Sequence, residues 1–265
     1  VCAVSHTTKQ LGKKMTDKTI VKTQQQSVSN IDAETAALLA QAAQDQGNAE
    51  VSSIPFLSTK GKKFTLGDEK LGTSLSVVIL ADVFDHAFYD KPYDPDVINP
   101  PACFAISKHE GEMEPSTTSP VMQSDTCSTC PMNEFGSAPN GKGKACRNGR
   151  RLLVASMVNG VPDTENLAIV NISPTSLKGY SRYAKGLATV KKLPLWAVVT
   201  RLGFDEEAAY PQVVASFESV LDGPHINAIA PRLAEFDDTV AVPYDTSGYV
   251  ADAEPKEATK KSKMS

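Results

Sequence analysis

Leu75-Ser-Val-Val-Ile-Leu-Ala-Asp-Val83 decides how the chain is read. Aliphatic and β-branched side chains dominate it, and Gly61, Gly67 and Gly72 punctuate the sequence before it like turns, so it reads as a strand. Working outward, residues 54–58 and 63–66 share this character upstream, and residues 151–158, 167–172, 195–202 and 212–220 share it downstream. Ser173-Pro174-Thr175-Ser176 forms a cap and first turn, leading into a helix through Tyr180 and Tyr183 to about residue 187. Residues 223–232 read as another helix or a connection. Strands and helices do not alternate regularly, which favours a small antiparallel barrel or sandwich over a parallel α/β sheet. The expected class is therefore mostly β (α+β), an OB-like antiparallel barrel with one or two helices.

A chain of 265 residues with 41% hydrophobic side chains can bury an ordinary core without staples. Its net charge of −4, from 27 basic and 31 acidic residues, argues against a polybasic protein and restricts any nucleic-acid contact to a local patch. No run approaches the roughly 18 to 20 apolar residues that span a bilayer, and no apolar secretory core opens the chain, so a soluble cytoplasmic protein without membrane contact is expected. Residues 1–29, rich in Thr, Gln, Lys and Ser, read as a disordered arm. Within that arm Met15 before Thr16 and Asp17 resembles a translation start, which would make residues 1–14 leader or added sequence and Cys2 irrelevant. Residues 30–47 read as an N-terminal helix, 48–235 as the core, and 236–265, acidic and then ending in Lys260, Lys261 and Lys263, as a flexible tail. No repeat of 20 to 50 residues is visible.

Four of the five cysteines cluster. Cys127 and Cys130 form a C-x2-C knuckle, Cys146 follows Cys130 after 15 intervening residues and Cys103 precedes Cys127 with 23 between them. Four thiolates at such spacing suit tetrahedral zinc, and the Gly-rich loop from 136 to 143 lets the last ligand return. This makes residues 103–146 a zinc loop inserted in the barrel. An iron–sulfur cluster is the less favoured occupant, kept open by Cys130-Pro131, and unligated thiols are the third reading. His109 is a substitute ligand for Cys103, ranked behind it. Four thiolates close the metal's shell, which argues for a structural role rather than a catalytic one.

Other motifs fail on context. Gly136-Ser-Ala-Pro-Asn-Gly141-Lys142 satisfies part of a phosphate-binding loop but is followed by Gly143 where Ser or Thr belongs. The zinc-deaminase pattern needs His-x-Glu and Pro-Cys-x-x-Cys, whereas here Glu110 follows His109 directly and Pro131 follows the second cysteine. Acid pairs such as Asp82 with Asp85, Asp94 with Asp96 and Glu206 with Glu207 are most simply solvated surface. His86 and His225 have no nucleophile motif nearby, and no enzyme is indicated.

Lys142, Lys144, Arg147, Arg150 and Arg151 fall within ten residues with no acid among them. Beside the last thiol they offer a phosphate-contacting patch. Single-strand binders pair such a patch with stacking rings; Tyr89, Tyr93 and Phe135 are the stacking candidates, while Trp196 and Phe204 are expected in the core.

The strings Pro-Pro-Ala-Cys103-Phe-Ala, Cys127-Ser-Thr-Cys130-Pro-Met-Asn-Glu-Phe-Gly-Ser and Gly-Lys-Gly-Lys-Ala-Cys146-Arg-Asn-Gly-Arg-Arg-Leu resemble a family of tailed-bacteriophage proteins. Residues 77–96, ending Tyr-Asp-Lys-Pro-Tyr-Asp-Pro-Asp, and Val198-Val-Thr-Arg-Leu-Gly-Phe-Asp extend the likeness over residues 50–220. That family is described as single-stranded DNA-binding. The resemblance implies one site made by the four cysteines, and a protein of the host cytoplasm acting with phage replication or recombination proteins, as a homo-oligomer on DNA. Terminal lysines depart from the acidic tail by which such binders recruit partners. The expected function is non-catalytic coating of single-stranded DNA; the alternative is a structural or protein-interaction module with an architectural zinc, and a metal-dependent DNA-processing enzyme comes third.

Overall fold

β4 (Leu75–Phe88) is a strand of 14 residues, longer than the stretch that announces it. It carries no clean alternation because both of its faces are covered. Val77 and Ile79 enter one apolar cluster with Leu152, Val154, Val170 and Tyr180. Val78 and Leu80 enter another with Leu153, Ile169, Ile229 and Phe236.

The computed structural model describes Thr35 and residues 54–92 and 99–250. The chain divides into two units, Val1–Ser52 and Ser53–Ser265, and all the elements named here belong to the second. The expected disordered arm at 1–29 lies outside the described residues, as does the helix at 30–47 apart from Thr35, which is helical.

Around β4 the sheet has seven strands in the order β1-β7-β6-β4-β8-β9, with β5 also on β4. The strands are β1 (Phe56–Leu57), β5 (Cys103–Ser107), β6 (Cys146–Val158), β7 (Val161–Ile172), β8 (Val198–Phe204) and β9 (Val213–Val220). All pairings are antiparallel except β1 with β7. β2 (Phe64–Leu66) and β3 (Glu69–Gly72) form a separate hairpin. β6 runs along β4 from Val77 to Phe88, whereas β8 pairs with residues 75–77 and β5 with residues 84–88.

Among the described residues the sheet does not close, for β1 and β9 stand at its ends. The expected mostly β, α+β class holds, but the OB-like barrel is corrected to an open sheet. Layering supplies the physical reason. The β2–β3 hairpin and α1 (Pro174–Gly186) cover one face, through Phe64 and Tyr180. On the other face lie α2 (Gly223–Ile229) and α3 (Leu233–Val240), through Ile229, Phe236 and Val240. A sheet shielded on both sides needs no closure to bury its apolar residues.

A register shift between Ile79 and Ala81 marks a bulge opposite β6. It places Leu80 and Ala81 in the same cluster, so the alternation slips by one residue. Beyond it Val83 and Asp85 share the α2–α3 face, and Phe84, His86 and Phe88 share the α1 face. On β6, Gly149 is required by close approach, since a Cβ there would meet the Ile172 carbonyl oxygen at 2.8 Å.

For residues 236–250 the expected flexible tail is also corrected. Phe236 and Val240 are buried, the Tyr244 ring meets that of Phe104 at 5.1 Å edge-on, and its hydroxyl donates to Asp85 Oδ2 at 2.7 Å. Enough apolar surface is buried there to offset the entropy of ordering. Residues 251–265 lie outside the description. Phe236→Ala is expected to cost about 3–5 kcal/mol of stability, read as a lowered urea midpoint with an unchanged slope; a midpoint within error of the parent would mean that this segment does not pack.

Candidate functional site

Strand register builds the site from Phe88 outward. Phe88 pairs with Cys103 on β5 and with Cys146 on β6, so the two cysteines flank it in one row across the sheet. His86 stands two residues away on the same face, opposite Ala105 and Asn148. Residues 108–145 then leave β5 and return to β6 with only two short 3-10 turns, at Glu110–Glu112 and Pro131–Asn133.

That excursion is pinned back to the sheet. Ser116 donates its backbone N–H to the Phe104 carbonyl and Val121 to that of Ala102, both at 2.8 Å. Cys127 donates to the Met113 carbonyl at 3.0 Å. Asn133 is the main tie. Its Nδ2 donates to the Cys127 carbonyl at 2.8 Å, while its Oδ1 accepts from Lys144 Nζ and Asn148 Nδ2, each at 3.0 Å. No sequence signal marked Asn133, because its three partners are fixed only by the loop's return.

Cys103, Cys127, Cys130 and Cys146 line one small cavity with His86 and Phe88, about 20 Å³ in volume. That is room for a single water-sized sphere. Cys103 and Cys130 are buried, Cys127 and Cys146 partly so, and all four are free thiols. Burial pushes the Cys127 thiol up to about 11, reinforced by charge on Cys103 and Cys130. Cys146 is pushed up to about 12 by burial and by the same effect from Cys127, Cys130 and Cys103. Burial first, and mutual repulsion second, disfavour ionising these thiols together without a cation among them.

Four soft donors around a one-atom space fit a thiophilic metal in chemistry. In spacing, no group of three or more His, Cys, Asp or Glu among the described residues is arranged to hold an ion. The gathering of Cys103 and Cys146 is fixed by backbone register, whereas coordinating spacing turns on side-chain rotation and on the loop that carries Cys127 and Cys130. His109, the expected substitute ligand, is exposed at the head of a 3-10 turn, and the histidine lining the cavity is His86.

The basic run is divided by β6. Lys142 and Arg147 are exposed and Lys144 is half-buried, with its ammonium 5.7 Å from the Phe135 ring. Arg151 is not offered to solvent as expected, and Arg150 is only partly so. Arg151 is 1% exposed and ion-paired to Asp85, itself 2% exposed, at 3.3 Å. Its Nη1 donates to the Val242 carbonyl at 2.6 Å, and its guanidinium lies 4.3 Å from the Tyr244 ring. Arg150 pairs with Asp82 and lies 3.8 Å from the Phe84 ring. Alternation along the strand sends these two arginines to opposite faces, each onto an acid of β4. Asp82 and Asp85 consequently form no acid pair.

Of the stacking candidates, Phe135 is 84% exposed and Tyr89 37%, while Tyr93 lies outside the described residues. Burial raises the Tyr89 hydroxyl, with the Arg147 cation opposing. Trp196 and Phe204 pack against the two clusters, and Phe204 meets the Phe64 ring at 4.6 Å. A groove of about 400 Å³ beside the thiols is lined by Phe135, Lys144, Arg147 and Glu110, with Pro174 and Leu177 of α1 as its far wall. Its basic and aromatic lining suits an anionic, ring-bearing ligand.

Breaking a buried pair leaves the other charge uncompensated. Arg151→Ala should therefore lose about 3–5 kcal/mol in urea unfolding, while Arg147→Ala on the exposed side stays within about 0.5 kcal/mol of the parent. Equal effects would mean that Arg151 is not part of the interior. Among the described residues no helix is long and apolar enough to cross a membrane. Compared with protein families, curated proteins and solved structures, the chain matches none.

Proposed function

We propose that this chain is a non-catalytic single-stranded DNA-binding protein, with Cys103, Cys127, Cys130 and Cys146 holding a structural zinc. One observation carries the first half: the open groove in which the exposed Phe135 ring stands beside Lys144 and Arg147. A base stacks on an exposed ring and its phosphate meets a nearby cation, without need of sequence readout. Exposed Lys142 and Tyr89 are the further members of the proposed surface. Arg150 and Arg151 serve the fold instead.

The second half is supported by four thiols converging on a space of about 20 Å³. Zinc there would supply no reaction chemistry, only a closed tetrahedral shell that ties the loop to β5 and β6. An iron–sulfur cluster draws on the same ligands and is the lesser candidate. The loop between Cys130 and Cys146 carries Phe135 and Lys144, so holding the thiols also holds the groove. The strings that resemble the phage family suggest the setting: coating of single strands in phage replication or recombination, alongside phage proteins and further copies of itself.

The test is fluorescence anisotropy of a labelled oligothymidine at two salt concentrations, with duplex of equal length as competitor. Salt-sensitive preference for the single strand is expected. Phe135→Ala should weaken binding by about 1–3 kcal/mol, and Arg147→Ala should flatten the salt dependence by about 0.7 in log–log slope. Unchanged affinity and slope in both variants would remove the groove from the site. No binding by folded, zinc-loaded protein would favour the interaction module, whose natural surface is the apolar groove of about 500 Å³ between α1 and β9.

A further inference from the structure

His86 is buried to 3% exposure, and among the described residues neither of its ring nitrogens has a hydrogen-bond partner. Native interiors rarely leave such a group unsatisfied. The imidazole is not placed at random. It lines the same cavity as the four thiols, on the same face as Phe88, whose partners are Cys103 and Cys146. Two residues along a strand span about 6.6–6.8 Å, so the ring reaches into the thiol cluster from beside that row.

We propose that His86 is the fifth member of the thiol centre, donating a ring N–H to a cysteine thiolate when the centre holds its metal. This rests on the metal reading above. Four thiolates already close a tetrahedral shell and leave the imidazole no coordination position. Four thiolates around a dication also leave the centre with a net double negative charge in a small cavity, and a neutral imidazole carries one N–H to offset it. Phe88 cannot supply such a donor, and Lys144, which gives one N–H to Asn133 Oδ1, does not line the thiol cavity. Outer donors of this kind orient ligands and tune affinity although they never touch the metal. His86 is therefore a positioning residue, and its orphaned nitrogens are those of a partner meant for the loaded centre.

Zinc affinity of the full chain, measured by competition with a chromophoric chelator, tests this in three proteins. Parent and His86→Gln, which keeps an N–H donor, should agree within a few-fold, whereas His86→Phe, which fills the space without a donor, should lose about 10–100-fold. A His86→Phe protein that binds zinc as tightly as the parent would overturn the proposal. Should that variant not fold, cadmium-113 NMR of the parent decides. Scalar coupling between cadmium and the His86 ring N–H proton supports the donor. A direct nitrogen–cadmium bond makes it a ligand and overturns the proposal, as does a ring N–H held by Asn148 Oδ1 with or without metal. A parent that binds neither zinc nor cadmium defeats the metal reading itself, and that result is seen before any variant is made.

Discussion

The structure depends on β4 being buried on both faces while it hydrogen-bonds along both edges. β6 occupies one edge from Val77 to Phe88, and β8 and β5 divide the other. Such a strand cannot tolerate a slip, because moving it by one residue would exchange two different sets of side chains between two different cores. The bulge between Ile79 and Ala81 makes one such exchange deliberately. It keeps Val77 and Ile79 under α1 at one end, and at the other turns Asp85 towards α3 and His86 and Phe88 towards the thiols. Without that extra residue the acid and the imidazole would trade faces, and neither Arg151 nor the cysteine row would find its partner.

Charge is handled by the same alternation. In composition Arg147, Arg150 and Arg151 are equivalent cations, and their closeness invites a single reading. On a strand they separate: Arg147 to solvent, Arg150 onto Asp82 under the Phe84 ring, Arg151 onto Asp85 behind Tyr244. The interior pair is costly to desolvate, and its justification is the set of extra bonds around it. Through Tyr244 and the Val242 carbonyl it also anchors the segment after α3, so a charged group in the sheet orders a stretch of chain whose own composition is polar.

Much of this was legible in the residues. The strands at 63–66 and 212–220, the helix that opens at Pro174 after Ser173 and the grouping of four cysteines all follow from local pattern, although Ser173 makes no capping bond to the helix backbone. The unbroken apolar run from Val77 to Ala81 also held the clue against a barrel, since one exposed face would have left polar residues at every second position. β5 was not readable, for Cys103-Phe-Ala-Ile-Ser107 is short and its burial comes from β4 and Tyr244. His86 and Asn133 could not be singled out either. Their meaning lies in contacts that span 6 to 15 residues of chain for Asn133 and 17 to 60, to the thiols, for His86, and neither stands in a spacing that local pattern can recognise.

Rigidity and reach are thus separated within one unit. The sheet, with helices on both sides, has little freedom to reshape itself around a ligand. The excursion from 108 to 145 has the opposite character, with two single turns of helix, few buried apolar residues and one asparagine holding its two limbs. On the proposed reading that loop presents the ring and cations that meet DNA, so its position must be fixed by something other than a core. Backbone bonds to β5 fix the outgoing limb and β6 fixes the return. Asn133 and the Cys127–Met113 backbone bond tie the knuckle to the two limbs; on the proposed reading a filled thiol centre would join Cys103, Cys146 and the knuckle at one further point, so the order of the groove would rise as the centre fills.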